Sequence, residues 1–249
     1  YVPIGTCLHE SESIFAHYAV IEHKEQRYLL QDGVMQSVNK NPHTNRTGYY
    51  YDYLTEVQVK EDANILILGN NIGITMQRLV EKYPQGTVVG VEIDPKATQL
   101  GVEWFGFSPE LARQVQHIDA RVFLEQNSEQ FDYVIVDVYK GLNMPQHLIT
   151  TEFFSLLRED MAANAILIIN MPDVFLLERN FSLLSKQYVS TIQEHFTSCG
   201  IDYRRHLLIC PAQEEYQELI FFQENIFTDD KNEIGVETAK NYFTLYYST

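Results

Sequence analysis

Apolar and polar positions follow two different rhythms along the chain, and the change falls near residue 60. Before it stand two short apolar-rich runs, "HYAVIEH" and "RYLLQDGVMQSV", with "QDG" marking a turn near or after the second. They predict strands of a small antiparallel sheet. A polar loop, "KNPHTNRTG", follows with Pro42 and Gly48, and "YYYDYLTEVQV" predicts a short helix leading onward.

From residue 63 the pattern alternates between strand and helix. "NILILG" predicts a buried strand, and "TMQRLVEKY" predicts a helix with Met76, Leu79, Val80 and Tyr83 on one face, stopped by Pro84. "TVVGVEI", "VQHIDA", "FDYVIVDV" and "AILIIN" predict further strands, separated by helices over "KATQLGVEWFG", "RVFLEQN" and "TEFFSLLREDM". A long helix follows from Phe175, interrupted near Asn180, and "RRHLLIC" and "ELIFFQ" predict closing antiparallel strands. Such alternation implies an α/β fold, a mostly parallel sheet with helices on both faces. We expect a small N-terminal β domain over residues 1–60 and a Rossmann-like nucleoside-binding domain over 61–249.

In an open parallel sheet, ligands bind beyond the carboxyl ends of the strands, so the chemistry found there carries the functional signal. Three ends stand out. The first is Gly69-Asn-Asn-Ile-Gly73, whose glycines permit a tight turn and a close ligand approach, or form a plain structural turn. The second is Glu92 in "VGVEID", about 20 residues on, where a carboxylate can accept from both ribose hydroxyls. Asp94, before Pro95, is placed to cap a helix. The third is Asp119-Ala120, where the acid either accepts from an adenine amino group or caps the helix starting at Arg121. Without GKS or GKT there is no triphosphate loop, and without a middle glycine a pyrophosphate is poorly accommodated. Adenosine without phosphates fits better, which points to S-adenosylmethionine or a relative.

Charge narrows the partners. Thirty-four acids against 18 bases give a net charge of −16, which disfavours nucleic acid and anionic membranes and favours cationic ligands, if it does more than keep the chain in solution. The three cysteines form no CxxC pair, so reduced thiols in a cytoplasmic protein are expected. No apolar run is long enough to span a bilayer, and "YVPIGTCLHE" lacks the features of a signal peptide, although a start at Tyr1 leaves room for a preceding segment. The eight histidines lack HxH and HxxxH spacing, and no metal site is expected. The tyrosines of "YYYDYL" are suited to cation–π contact with an amine or to plain packing.

These residues resemble the spermidine and spermine synthases, the aminopropyltransferases. "LLQDGVMQ" resembles that family's LDGVVQ segment, "YYYDYL" its YHEM helix start, and "LILGNNIG" its GGGDG loop. "VEID" and the "DA" pair are kept, and "FDYVIVDVYKG" stands where the family has FDVIIxDxxDP. The resemblance implies a methyltransferase-like Rossmann domain, a homodimer, and decarboxylated S-adenosylmethionine as the donor of an aminopropyl group in polyamine biosynthesis. Glu92 would bind ribose, Asp119 and Ala120 the adenine, and Gln36 and Tyr50 the amine acceptor, with Asp137 as the catalytic carboxylate. Departures fall in the amine half: Ile72 replaces the loop's acid, Lys140 the second acid of DxxD, and Cys210 a tyrosine. Lys140 either repels a diamine or points to water. A methyltransferase using intact S-adenosylmethionine and a catalytically inactive nucleoside-binding paralogue are the rival expectations.

Overall fold

The computed structural model describes residues 5–39, 47, 49–139, 144–171, 183–196, 198–202, 204–211, 217–218 and 228–229. Its N-terminal part is an antiparallel four-stranded sheet in the order β1-β2-β3-β4: Thr6–Glu12, His17–His23, Gln26–Gln31 and Val34–Val38. The "QDG" turn lies between β3 and β4. Asp32 and Gly33 both take positive φ (50° and 80°), the geometry of a tight hairpin turn that matches the strand twist. One face of this sheet buries Tyr18, Val20 and Leu29.

After a single helical turn, α1 (Tyr51–Leu54), the larger sheet begins. Its strands are β5 (Asn64–Leu68), β6 (Thr87–Val91), β7 (Phe131–Val136), β8 (Met161–Asn170), β9 (Gly200–Asp202), β10 (Leu207–Cys210) and β11 (Gln217–Glu218). The sheet order is β11-β9-β10-β8-β7-β5-β6. The four strands β8-β7-β5-β6 pair in parallel, and β10, β9 and β11 extend the sheet by antiparallel pairing. Between them lie α2 (Ile74–Lys82), α3 (Pro95–Trp104), α4 (Pro109–Ala112), α5 (Ala120–Gln126), α6 (Thr151–Glu159) and α7 (Leu183–Gln193). Strand β5 shows why its sequence is apolar from Ile65 to Leu68: Leu66 and Leu68 enter one core cluster, Ile65 and Ile67 the other. A strand covered on both faces has no polar side to show.

The fold is the expected α/β arrangement, a methyltransferase-like Rossmann sheet preceded by an antiparallel one. Three sequence expectations change. "VQHIDA" is not a strand: the segment makes one bridge, Gln116 to Val91, and then turns into α5. Its polar residues Gln116, His117 and Asp119 leave no apolar row to hold a ladder. A first strand, "TCLHESE", was not foreseen, because an edge strand of half-exposed residues carries little apolar signal. The thiols are not all reduced: Cys199 and Cys210 form a disulfide with Cα atoms 4.3 Å apart, while Cys7 is free. The hairpin register pairs Ile209 with Gly200, so the next residues outward stand opposite each other, a juxtaposition that chain spacing does not reveal. The break foreseen near Asn180 lies outside the described residues. No helix among the described residues is long and apolar enough to cross a membrane.

Candidate nucleoside and amine site

Chain order reverses around β5: β6 lies on one side and β7 on the other. A crevice therefore opens beyond the carboxyl ends of these three strands. One cavity occupies it, lined by Gly69, Glu92, Asp119, Ala120 and Asp137, with Gln36, Phe15 and Tyr18 reaching in from the N-terminal part. Six of the eight site residues read from the sequence thus face one hollow.

The loop after β5 is held by its backbone. The N–H groups of Gly69 and Asn70 both donate to the Val91 carbonyl at 2.9 Å. Gly69 has φ of 89°, and a Cβ there would lie 2.1 Å from the Asp137 carbonyl oxygen, so no other residue fits. Gly73 is placed differently from the sequence expectation: it does not line the cavity. It begins α2 at φ 80° and packs on Phe107, whose ring a Cβ would strike at 2.4 Å. Ile72 does not face the cavity either. It is 1% exposed and packs with Ala16, Tyr18, Val20, Leu29, Ala97 and Leu100, between the N-terminal sheet and α3. The missing acid of this loop is therefore a core contact between two layers.

Glu92 follows β6. Its Oε2 accepts from the Asn71 N–H at 2.7 Å and its Oε1 from the Asp94 N–H at 3.0 Å. Each oxygen keeps a further lone pair for a ribose hydroxyl. Burial pushes this carboxyl up to about 7, against the lowering effect of the two N–H groups. Asp94 caps α3 through Lys96 N–H and also accepts from the hydroxyls of Tyr18 and Ser13, which ties the two sheets together at the cavity wall.

Asp119 serves as the cap that its sequence context allowed. Its Oδ1 accepts from Arg121 N–H at 2.9 Å and Val122 N–H at 3.3 Å. Capping leaves the other oxygen, Oδ2, which lies 2.8 Å from His147 Nε2, and both residues line the cavity. Capping and accepting from a ligand are thus compatible, because they use different oxygens. Partial burial would raise this carboxyl, but the His147 contact and the two helix N–H groups hold it below its ordinary value.

Asp137 stands directly after β7. Tyr50 O–H donates to its Oδ2 at 2.6 Å and Asn170 Nδ2 donates to its Oδ1 at 2.8 Å. Burial pushes its carboxyl up despite both hydrogen bonds. Tyr50, expected to line the amine pocket, instead reaches the site through Asp137 and is absent from the cavity lining. Gln36 does line it, and its carbonyl accepts from Tyr51 O–H. Lys140 lies outside the described residues. Cys210 is buried in the disulfide and the core, so it offers no side chain to an amine.

Among the residues not foreseen at the site, two hold its carboxylates. Asn170 ends β8, and a polar residue closing the run "AILIIN" beside the Asp137 strand was a readable signal. His147 sits in a short 3-10 turn, Gln146–Leu148, and nothing in its local sequence marks it.

Comparison with known proteins now places this geometry. The family model described as "Spermine/spermidine synthase domain" matches residues 49–202, more than half of the chain. The chain is 31% identical over 167 residues to a probable polyamine aminopropyl transferase of Bifidobacterium longum, covering 66% of this chain and 37% of that protein. It is 27% identical over 177 residues to a polyamine aminopropyltransferase of Vibrio vulnificus, covering 67% of this chain and 59% of that protein. The chain therefore spans less than two thirds of the length of these curated relatives. The crystal structure of a probable spermidine synthase from Corynebacterium glutamicum superposes with a TM-score of 0.67 at 20% identity, over 86% of this chain and 82% of that one, a likeness of fold. With the family model spanning β5 to β9 and the larger sheet's strand ends at the cavity, the chain belongs to the spermine/spermidine synthase domain family.

Proposed function

We propose that the protein transfers an aminopropyl group from decarboxylated S-adenosylmethionine to a small amine acceptor, as a transferase of polyamine biosynthesis. Its main support is the convergence of Glu92, Asp119 and Asp137 on one hollow at the sheet's switch point. In this reading Glu92 accepts from the ribose hydroxyls. Asp119 accepts from the adenine amino group through a remaining lone pair of Oδ2, the oxygen that does not cap α5, and Ala120 leaves space for the ring. Gly69 lets the backbone approach the nucleoside. The acceptor amine lies between Gln36 and Asp137, with Tyr50 orienting the carboxylate.

The step is a displacement at carbon. The amine lone pair attacks the aminopropyl methylene bonded to sulfur, the bond between that carbon and sulfur breaks, and its electron pair stays on sulfur, which leaves as the neutral thioether methylthioadenosine. The nitrogen must shed a proton, and Asp137 takes it. A carboxyl raised by burial suits that task, since it sits closer to neutrality than a solvated aspartate. Neither the displacement nor the proton transfer calls for a metal.

Incubation with decarboxylated S-adenosylmethionine and a panel of di- and polyamines tests the proposal, with methylthioadenosine release as the readout. Release of S-adenosylhomocysteine from intact S-adenosylmethionine would instead mark a methyltransferase. Binding of methylthioadenosine with no product from either donor would mark an inactive paralogue. A homodimer, a cytoplasmic location and a domain boundary near residue 60 belong to the same proposal. Light scattering, cell fractionation and limited proteolysis test them.

A further inference from the structure

Residues that stand opposite one another in an antiparallel pair share a face of the sheet, and successive residues of a strand alternate faces. In the N-terminal sheet Val20 pairs with Leu29, and Tyr18 pairs with Gln31. These four residues therefore lie on one side. Val20 and Leu29 pack in one cluster with Ile72, Ala97 and Leu100, the seam with the Rossmann part. Tyr18 and Gln31 stand one step further along the same row and line the cavity. The row thus passes from seam to hollow, and its polar end faces the hollow.

Tyr18 shows which part of the hollow this is. Its hydroxyl donates to Asp94 Oδ2 at 2.8 Å, and Asp94 N–H donates to Glu92 Oε1 at 3.0 Å. Gln31, beside Tyr18, brings its amide to the side of the cavity where Glu92 stands. The residue is half-buried, and no group among the described residues hydrogen-bonds its amide. The segment "LLQDGVMQ" also departs here from the family's LDGVVQ, which has leucine before the aspartate. This chain carries an amide in place of an apolar wall.

A ribose hydroxyl is both donor and acceptor. Where Glu92 accepts its hydrogen, the hydroxyl oxygen still has lone pairs to satisfy. The carboxylates of Glu92 and Asp94 have no hydrogen to give, and Tyr18 spends its own on Asp94. The Gln31 amide carries two N–H groups to the same place.

Resting on the reading of Glu92 as the ribose acceptor, we propose that Gln31 is a second ribose contact, donating an amide N–H from the N-terminal sheet to a hydroxyl oxygen that Glu92 holds from the Rossmann side. The ribose is then gripped by both sheets, one supplying the acceptor and the other the donor. A nucleoside lacking the contacted hydroxyl loses both partners at once.

The test is calorimetric titration of the whole chain with 5′-methylthioadenosine and with its 2′-deoxy and 3′-deoxy counterparts, for the unaltered protein, Gln31→Leu and Gln31→Met. Both substitutions keep the side chain's bulk and remove its donors, and melting temperatures report whether the fold is kept. Each variant should bind methylthioadenosine roughly three- to tenfold more weakly than the unaltered protein, the size expected of one hydrogen bond. With at least one deoxy nucleoside the three proteins should bind alike, because the hydroxyl that Gln31 contacts is already gone. Unchanged affinity of both variants for methylthioadenosine would overturn the proposal. So would a penalty of the same size with all three nucleosides, which would make Gln31 a wall residue and not a ribose contact. If the unaltered, folded protein binds none of the three, the nucleoside-site reading itself fails and takes this proposal with it.

Discussion

Replacing Asp119 by Asn changes one atom at the point where the purine edge is proposed to meet the protein. The oxygen that caps α5 survives, because Asn is as good a helix cap as Asp. The other oxygen becomes an amide NH2, a donor facing a donor. Leaving a buried amino group and the amide unmatched costs about 1–3 kcal/mol, or roughly 5- to 150-fold in affinity. Asp119→Ala loses both functions: the cap on Arg121 and Val122 N–H is worth about 1 kcal/mol, which lowers the melting temperature by about 2–4 °C in a chain of this size. The two variants should separate in stability and agree in weak binding. Isothermal titration with 5′-methylthioadenosine and its 6-oxo counterpart, 5′-methylthioinosine, gives the readout. D119N should lose the first and gain the second, since an amide donates well to a carbonyl. If D119N bound methylthioadenosine as tightly as the unaltered protein, Asp119 would be a helix cap and nothing more.

Asp137→Asn should lower turnover by at least about 100-fold while leaving methylthioadenosine affinity within a factor of a few, as product assays alongside calorimetry would show. Ile72→Asp, which restores the family's loop acid, should destabilise the chain by roughly 4 kcal/mol or more and create no amine site, because it buries a carboxyl in the layer shared by Tyr18, Val20 and Leu29; chemical denaturation checks it. Glu92 binds its proton more tightly folded than unfolded, so the ligand-free fold is favoured by this group at acid pH and loses that contribution as pH rises through its folded value of about 7. The full loss is roughly 3 kcal/mol relative to an unperturbed glutamate, and the fall in stability between pH 5 and 8 should flatten in Glu92→Gln.

The strands that define the site were legible because they are buried on both faces. "NILIL" and "FDYVIV" cannot be read as anything half exposed, and the residues following them, Gly69 and Asp137, fall at strand ends by simple counting. The loop's orientation was not legible. A one-dimensional comparison sees Ile72 where an acid stands in relatives and concludes that the pocket has lost a charge. The left-handed residues on either side, Asn71 at φ 48° and Gly73 at φ 80°, decide which way that side chain points, and they turn it toward the other sheet. Contacts between residues far apart in sequence were equally hidden. Tyr50 meets Asp137 across 87 positions, and His147 meets Asp119 from a turn with no periodic pattern. The disulfide escaped for a related reason, since its cysteines are 11 positions apart in sequence and only the hairpin register sets them side by side.

Ile72 seated under the N-terminal sheet, together with Asp94 tethered to Tyr18 and Ser13, has a bearing on how such proteins can be recombined. A chimera that joined this Rossmann part to the first domain of a relative would put a foreign surface beneath Ile72, Ala97 and Leu100 and would leave the Asp94 carboxylate to find new donors. The loop after β5 would then lose its footing although every residue in it was native. Transplanting the two halves as one unit, or exchanging the seam residues along with the graft, is what the geometry demands.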